Sequence, residues 1–212
     1  MDSLPFDDVA GMPASSPLLK TPSWAVGPPV DLAGPYMLRD GVVITVRPIH
    51  DEDVQRLRAF HLSLSPQTIF LRFAHLLGGF PVELAAWLTR VDGDQRMAFV
   101  ATDAAADHSH EEIIGIARYD RVRPQVAEMA AVVADRWQGR GLGPILLYRL
   151  AVYGRSRGYT TFIALMSGRN RHALRALMRC GLPYLLKQLD EDTLLTSVDI
   201  TQLNCLRVVD ST

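Results

Sequence analysis

VAEMAAVVADRWQGRGLGPILLYRL, residues 126–150, passes from an apolar run through three glycines in five positions into a second apolar run headed by Pro144. The first run reads as a strand and the last as a helix, with the glycines as the turn between them. Glycine costs backbone entropy, and a helix start does not need three of them. Between a strand and a helix, however, bare glycine backbone presents N–H groups to an anion. The helix dipole adds attraction for negative charge. Pro144 falls in the first turn, where an N–H would have no intrahelical acceptor. The turn therefore reads as a cradle for phosphate, and best for a pyrophosphate.

Two common phosphate loops do not fit. Gly139, Gly141 and Gly143 give G-x-G-x-G rather than G-x-G-x-x-G, and no Lys follows them as a Walker loop requires. The pattern that does fit is Q/R-x-x-G-x-G/A, met by Gln138, Gly139, Arg140, Gly141, Leu142 and Gly143. In this it resembles the coenzyme A pyrophosphate loop of the GNAT superfamily of acyl-CoA N-acyltransferases. Charge agrees: between Arg136 and Arg179 there are nine Arg and no Asp or Glu. Such a stretch suits a ligand with a pyrophosphate and a ribose phosphate, although most of these arginines read as a solvated helix face.

Outward from the loop, the pattern before it is a strand at 41–49, then helices starting at Asp51, Ser65 and Pro81. The helix at Asp51 carries Val54, Leu57, Phe60 and Leu64. The one at Ser65 carries Ile69, Phe70, Phe73, Leu76 and Leu77. Strands follow at 96–103, 112–122 and 126–134, the last two as a hairpin around Arg123-Pro124. After the loop a helix runs to about Arg157. A strand at 160–166, a helix at 170–179 and a hairpin of 183–189 with 193–200 complete the domain. Residues 1–35 hold seven of the thirteen prolines and no periodicity, and read as an irregular arm. The expected organisation is an arm at 1–35, one domain at 36–205 and a tail at 206–212. No internal repeat is visible.

Composition narrows the class further. The chain has 212 residues, 48% of them hydrophobic, and a formal net charge of −1. That supports one well-packed domain and disfavours a uniformly basic nucleic-acid binder. The 20 Arg against 2 Lys suit a codon-biased genome. Cys180 and Cys205, with no C-x-x-C spacing, fit a reducing cytoplasm. The acidic start MDSLPFDD leads to no expectation of a signal peptide, and no apolar run is long enough to span a membrane.

The GNAT resemblance extends over about residues 36–200. Within the superfamily the chain is most similar to the catalytic domain of bacterial Pat-type protein lysine acetyltransferases, through LRDGVVITVRPIHDED, LSPQTIFLRF, VDGDQRMAFVA, EIIGIARY and AEMAAVVADRWQGRGLG. The resemblance implies an α/β (α+β) fold, a central mixed but mostly antiparallel sheet flanked by helices. It implies acetyl-CoA as co-substrate, no metal, and the pantetheine arm running along Val132 and Val133. It places Asn170 beside the pantetheine. The acceptor it implies is an amine, a protein lysine in the Pat-type case, in a monomer or homodimer that engages neither nucleic acid nor membrane. Two departures stand out. Leu177 occupies the position where many GNAT enzymes carry a Tyr general acid, a Tyr that Pat-type domains also lack, and Leu182 replaces the Phe of the closing Gly-Phe. Residues 1–35 also match none of the regulatory domains that accompany Pat-type proteins.

Acetyl transfer to a lysine needs the neutral amine, and lysine near pKa 10 is almost all ammonium at pH 7. Glu128 is the candidate base. It sits in the otherwise apolar VAEMAAVVA, and alternation puts it on one face with Val126, Ala130 and Val132. Burial there would raise its pKa toward a useful value. The Pat-type resemblance independently carries its catalytic Glu to the same position. The competing reading is an exposed strand-end Glu paired with Arg118. His108 and His110 have the look of metal ligands without a second cluster, and His172 has no partner in view. Arg72-Phe73 reads as core packing with an ion pair, and Cys180 as a packed thiol. Beside a protein lysine, the alternatives are a small-molecule amine acceptor, an acyl-CoA-binding module without turnover, and an Arg-rich nucleic-acid binder.

Overall fold

The computed structural model describes residues 33–73, 79–103 and 111–203. Most of the Pro-rich arm, the loop holding His108 and His110, Leu76 and Leu77, and Cys205 lie outside those residues. The strands are β1 (Gly34–Met37), β2 (Val43–Pro48), β3 (Arg96–Asp103), β4 (Ile113–Arg123), β5 (Val126–Val133), β6 (Thr161–Ser167), β7 (Tyr184–Gln188) and β8 (Thr193–Asp199). The helices are α1 (Val54–Leu62), α2 (Pro66–Phe73), α3 (Val82–Thr89), α4 (Leu142–Ser156) and α5 (Arg171–Arg179). β1 begins inside the stretch expected to be irregular: Gly34 and Pro35 already pair with Val46 and Thr45. Pro35 is tolerated because β1 is an edge strand.

The eight strands form one sheet in the order β1-β2-β3-β4-β5-β6-β8-β7. Every neighbouring pair is antiparallel except β5 and β6, which run parallel on either side of the α4 crossover. α4 lies on one face. A Cβ on Gly115 of β4 would stand 3.1 Å from Leu146 and 3.2 Å from Leu142, so the helix rests directly on bare sheet backbone. Near its end Gly154 admits the Phe162 ring, which a Cβ would meet at 2.4 Å. α1 and α3 cover the opposite face, where Trp87 of α3 stacks under Arg96 of β3 at 3.9 Å. No helix among the described residues is long and apolar enough to cross a membrane.

His61 marks how dry that second layer is. Its ring lies 3.9 Å from Phe80 and nearly parallel to it, and Nδ1 meets the Leu57 carbonyl at 2.9 Å. Burial, the largest cause, pushes the imidazole down to about 4, with Arg72 and Arg118 adding to the effect. The unfolded chain takes up this proton near 6.5 and the folded chain refuses it until about 4. Stability should therefore fall on acidification across that window, by roughly 1.36 kcal/mol per pH unit from this group. Urea unfolding of wild type and His61→Leu at pH 6.5 and pH 5 checks it. The variant should lose less stability than wild type between the two, and equal losses would contradict it.

Candidate active site

The site begins where a ladder stops. β5 and β6 pair only at Val126 with Thr161, Ala127 with Phe162 and Glu128 with Ile163. Beyond Glu128, β5 stays paired to β4 as far as Val133 with Gly115, and β6 stays paired to β8. Among the described residues, nothing pairs with the β6-facing edge of 129–133. The strands part as a wedge, and a cavity of about 480 Å³ fills it. Its walls include Met129 to Val133, Ala164 to Met166, and Ala173, Ala176 and Leu177 of α5. An unpaired strand edge of this kind accepts an extended, amide-bearing ligand by adding it as another strand.

At the wide end of the wedge the chain makes a 3-10 turn, Asp135–Trp137, and enters the glycine loop. Gly139 (φ 76°) and Gly141 (φ 101°) both lie in the left-handed region, and Gly141 is the residue capping α4. No atom lies within 4 Å of where a Cβ on Gly139 would be, so dihedral and openness, not packing, account for glycine there. Gly143 has another reason: a Cβ would press on Ala176 of α5 at 3.4 Å.

The polar side chains of the motif bond to protein partners around the loop, and Gln138 also lines the cavity. Gln138 Nε2 donates to the Val133 carbonyl (3.0 Å) and to Thr68 Oγ1 (3.2 Å). Arg140 pairs with Asp40 and lies over the Trp137 ring at 4.1 Å. Leu142 is buried under the sheet, leaving only its backbone for a ligand. Asn170 lines the cavity, and its Oδ1 accepts from Ala173 N at 3.0 Å, capping α5. Val132 and Val133 lie on the wedge wall as expected, although the Val133 carbonyl already serves Gln138. Positive charge comes from residues that the motif does not contain, Arg39, Arg175 and Arg179, all on the cavity wall.

Glu128 stands at the narrow end, where the ladder ends, and it is exposed. Its apolar strand neighbours do not bury it, so desolvation is not what its surroundings supply. Nor does Arg118 pair with it. Arg118 is buried and holds Asp120 through two bonds of 2.9 and 3.0 Å, and Arg96 adds a third at 2.8 Å. Burial pushes the Asp120 carboxyl up, but these guanidiniums outweigh it and hold the group below the ordinary carboxylate range. Asp120 lies directly across from Glu128 in the β4–β5 register.

Arg72 completes this end. It lies in the last turn of α2 and reaches the cavity wall. Burial and nearby Arg118 push its guanidinium down to about 10, against the opposing pull of Glu128 and Asp120, so it is charged at neutral pH. His172 also lines the cavity. Leu177, at the family's Tyr position, is buried and carries no proton to give. Cys180 is a packed thiol: buried, donating to the Leu177 carbonyl at 2.9 Å, its pKa pushed up by burial. Among the described residues no three His, Cys, Asp or Glu side chains gather as a metal ion would need.

Residues 69–182, which hold the wedge, the loop and Glu128, match the acetyltransferase (GNAT) family. The chain belongs to the GNAT acetyltransferase family. An acetyltransferase of Pseudomonas aeruginosa is 34% identical over 148 residues, covering 69% of this chain and 77% of the other. The acetyltransferase Pat of Mycolicibacterium smegmatis is 27% identical over 168 residues, 78% of this chain; the match spans only 48% of that longer protein. The crystal structure of the GNAT domain of S. lividans Pat superposes with a TM-score of 0.72 at 27% identity, covering 82% of this chain and 99% of that domain. As a GNAT acetyltransferase, the protein uses acetyl-CoA and transfers the acetyl group to an amine. The residues present fit that donor: glycine amides and nearby arginines for phosphates, and an unpaired strand edge for an amide-bearing arm.

Proposed function

We propose that this GNAT acetyltransferase modifies lysine side chains of proteins, with Glu128 as the general base. The observation that carries the proposal is Glu128's place at the end of the β5–β6 ladder. Val133 lies five strand steps beyond it, about 16 Å at strand spacing. In this reading the loop amides of 138–143 hold the pyrophosphate, the edge of 129–133 and Asn170 guide the arm, and the thioester arrives beside Glu128. Its exposure supports a large acceptor, because a lysine on another protein can reach the carboxylate without entering the cavity. Arg72 and the Arg118–Asp120 pair flank the base and orient the charges around it.

Glu128 takes the proton from the acceptor ammonium, directly or through a water, and the neutral amine attacks the thioester carbonyl. The leaving thiol has a pKa near 8.5, so the thiolate departs without a strong acid; it takes up a proton from solvent while the nitrogen of the collapsing adduct releases its second proton there to become the amide. That accounts for a leucine at 177 in an active enzyme. The resemblance to Pat-type domains supports the lysine acceptor, and two relatives carry the name Pat. To test it, acetyl-CoA is supplied with a lysine-bearing protein mixture or with small polyamines. CoA release is read with a thiol dye and acetyl-lysine by mass spectrometry. Release accompanied by acetyl-lysine is expected. Release with polyamines alone makes the acceptor a small amine, and binding without release leaves a non-catalytic module.

A further inference from the structure

α2 and the glycine loop are joined by a set of hydrogen bonds that the transfer chemistry does not require. Asp135, in the 3-10 turn after β5, sits at the N-terminus of α2. Its carboxylate accepts from Ser65 N (2.9 Å), Ser65 Oγ (2.7 Å) and Thr68 Oγ1 (2.7 Å). The Thr68 hydroxyl has a single proton and gives it to Asp135. One of its oxygen's two lone pairs accepts from Gln138 Nε2 at 3.2 Å, and the same Nε2 donates to the Val133 carbonyl. Ser65 Oγ, in turn, accepts from Thr68 N at 3.2 Å and so caps the helix.

The chain of bonds runs Asp135, Thr68, Gln138, Val133. It ties the first residue of the loop to the end of β5 and to a helix whose residues lie about seventy positions away, a separation of 70 between Thr68 and Gln138. Asp135 is ionised throughout: burial pushes its carboxyl up, but the bonds from Ser65 and Thr68 outweigh that and hold it low. An ionised acceptor strengthens its bond to the hydroxyl and polarises that hydroxyl toward Gln138. Gln138 commits its amide nitrogen to these two protein acceptors and lines the cavity beside the loop. What it sets is where the amides of 139–143 point.

We infer that Thr68 is a positioning residue for the cofactor loop: anchored by Asp135, it holds Gln138 and through it the orientation of the backbone that meets the pyrophosphate. The inference rests on the reading of residues 138–143 as the pyrophosphate cradle. It assigns a part in donor binding to α2, whose last turn also carries Arg72 on the cavity wall. A residue outside the glycine motif thereby sets the geometry of the motif.

The test uses calorimetry with CoA and with 3′-phospho-ADP, which carries the pyrophosphate but no pantetheine. Thr68→Val keeps shape and removes both hydrogen bonds. It should weaken both ligands by the same factor, about tenfold, and Thr68→Ser should restore affinity. Thr68→Ala serves as a second hydroxyl-free variant should Val disturb the helix. In a Gln138→Ala background, Thr68→Val should add almost nothing, because both act through one contact. Weakened CoA with unchanged 3′-phospho-ADP would make Thr68 a pantetheine contact and overturn the inference. So would additive losses with Gln138→Ala, or a lowered melting temperature with unchanged affinity. Gly141→Val separates this from the cradle itself. If Gly141→Val loses CoA and Thr68→Val does not, only the positioning role fails; if Gly141→Val also binds normally, the cradle fails too.

Discussion

Glu128→Gln should bind acetyl-CoA as wild type does and turn over roughly 10²–10⁴-fold more slowly at pH 7, the usual contribution of a general base. The amide keeps the shape of the side chain and removes its capacity to take a proton. Donor affinity should survive because the proposed contacts lie at 129–133 and in the loop, with Glu128 at the far end of the wedge. The size of the loss follows from the acceptor. With a pKa near 10.4, only about one lysine in 10³ arrives neutral at pH 7. Activity of the variant should recover as pH rises, because the substrate then supplies its own neutral amine. A pH–rate series for both enzymes checks this. Equal rates at pH 7 would remove Glu128 as the base, and a loss constant across pH would reassign it to orienting the acceptor.

Gly141→Val should lower CoA affinity by roughly 10²-fold, the worth of one or two hydrogen bonds to a charged group. Space is not the reason. A Cβ there would touch the Arg39 side chain at 3.5 Å, an ordinary contact. The dihedral is the reason: at φ 101° a β-branched residue is strained, and relief requires the backbone to rotate. Rotation turns the amides at the start of α4 away from a common point. The fold should persist, because Leu142, Ile145, Leu146 and Leu150 remain buried against the sheet. Calorimetry gives the affinity and circular dichroism the fold. A folded variant with wild-type affinity would show that the loop does not meet the pyrophosphate.

Much of this architecture is legible in local pattern. The strands at 96–103 and 126–134 and the helices at α1, α4 and α5 follow from periods of two and of three to four residues. The Arg123-Pro124 hairpin follows from its turn residues. β1 was not legible: GPYM is short, carries a proline, and becomes a strand only through its pairing with β2. The chain order of β7 and β8 was legible but not their place in the sheet, where β8 lies between β6 and β7.

The site divides in the same way. The glycine loop and Glu128 announce themselves, one by spacing and the other by being the lone carboxylate in an apolar strand. Nothing around Arg72, Thr68 or Arg39 in sequence marks them. They reach the cavity from elements whose local pattern speaks only of helix or turn. Alternation places Glu128 on a face of β5 but cannot say what covers that face. Burial was therefore expected where the structure leaves it exposed, with Arg118 committed to Asp120 instead.

By itself, then, the sequence determined a strand, a glycine turn and a helix, and with them the family and the donor. Backbone dihedrals and side-chain periodicity are local properties, carried within a few residues of chain. Tertiary structure decided that the β5–β6 ladder ends at Glu128, that Gln138 bonds to Thr68 and Val133 and Arg140 to Asp40, and that α2 brings Thr68 and Arg72 to the cavity wall. These depend on partners distant in sequence: Ile163 is 35 positions from Glu128, Gln138 is 70 from Thr68 and Arg140 is 100 from Asp40. Only the packing of the whole sheet and its helices brings such residues within a hydrogen bond of one another.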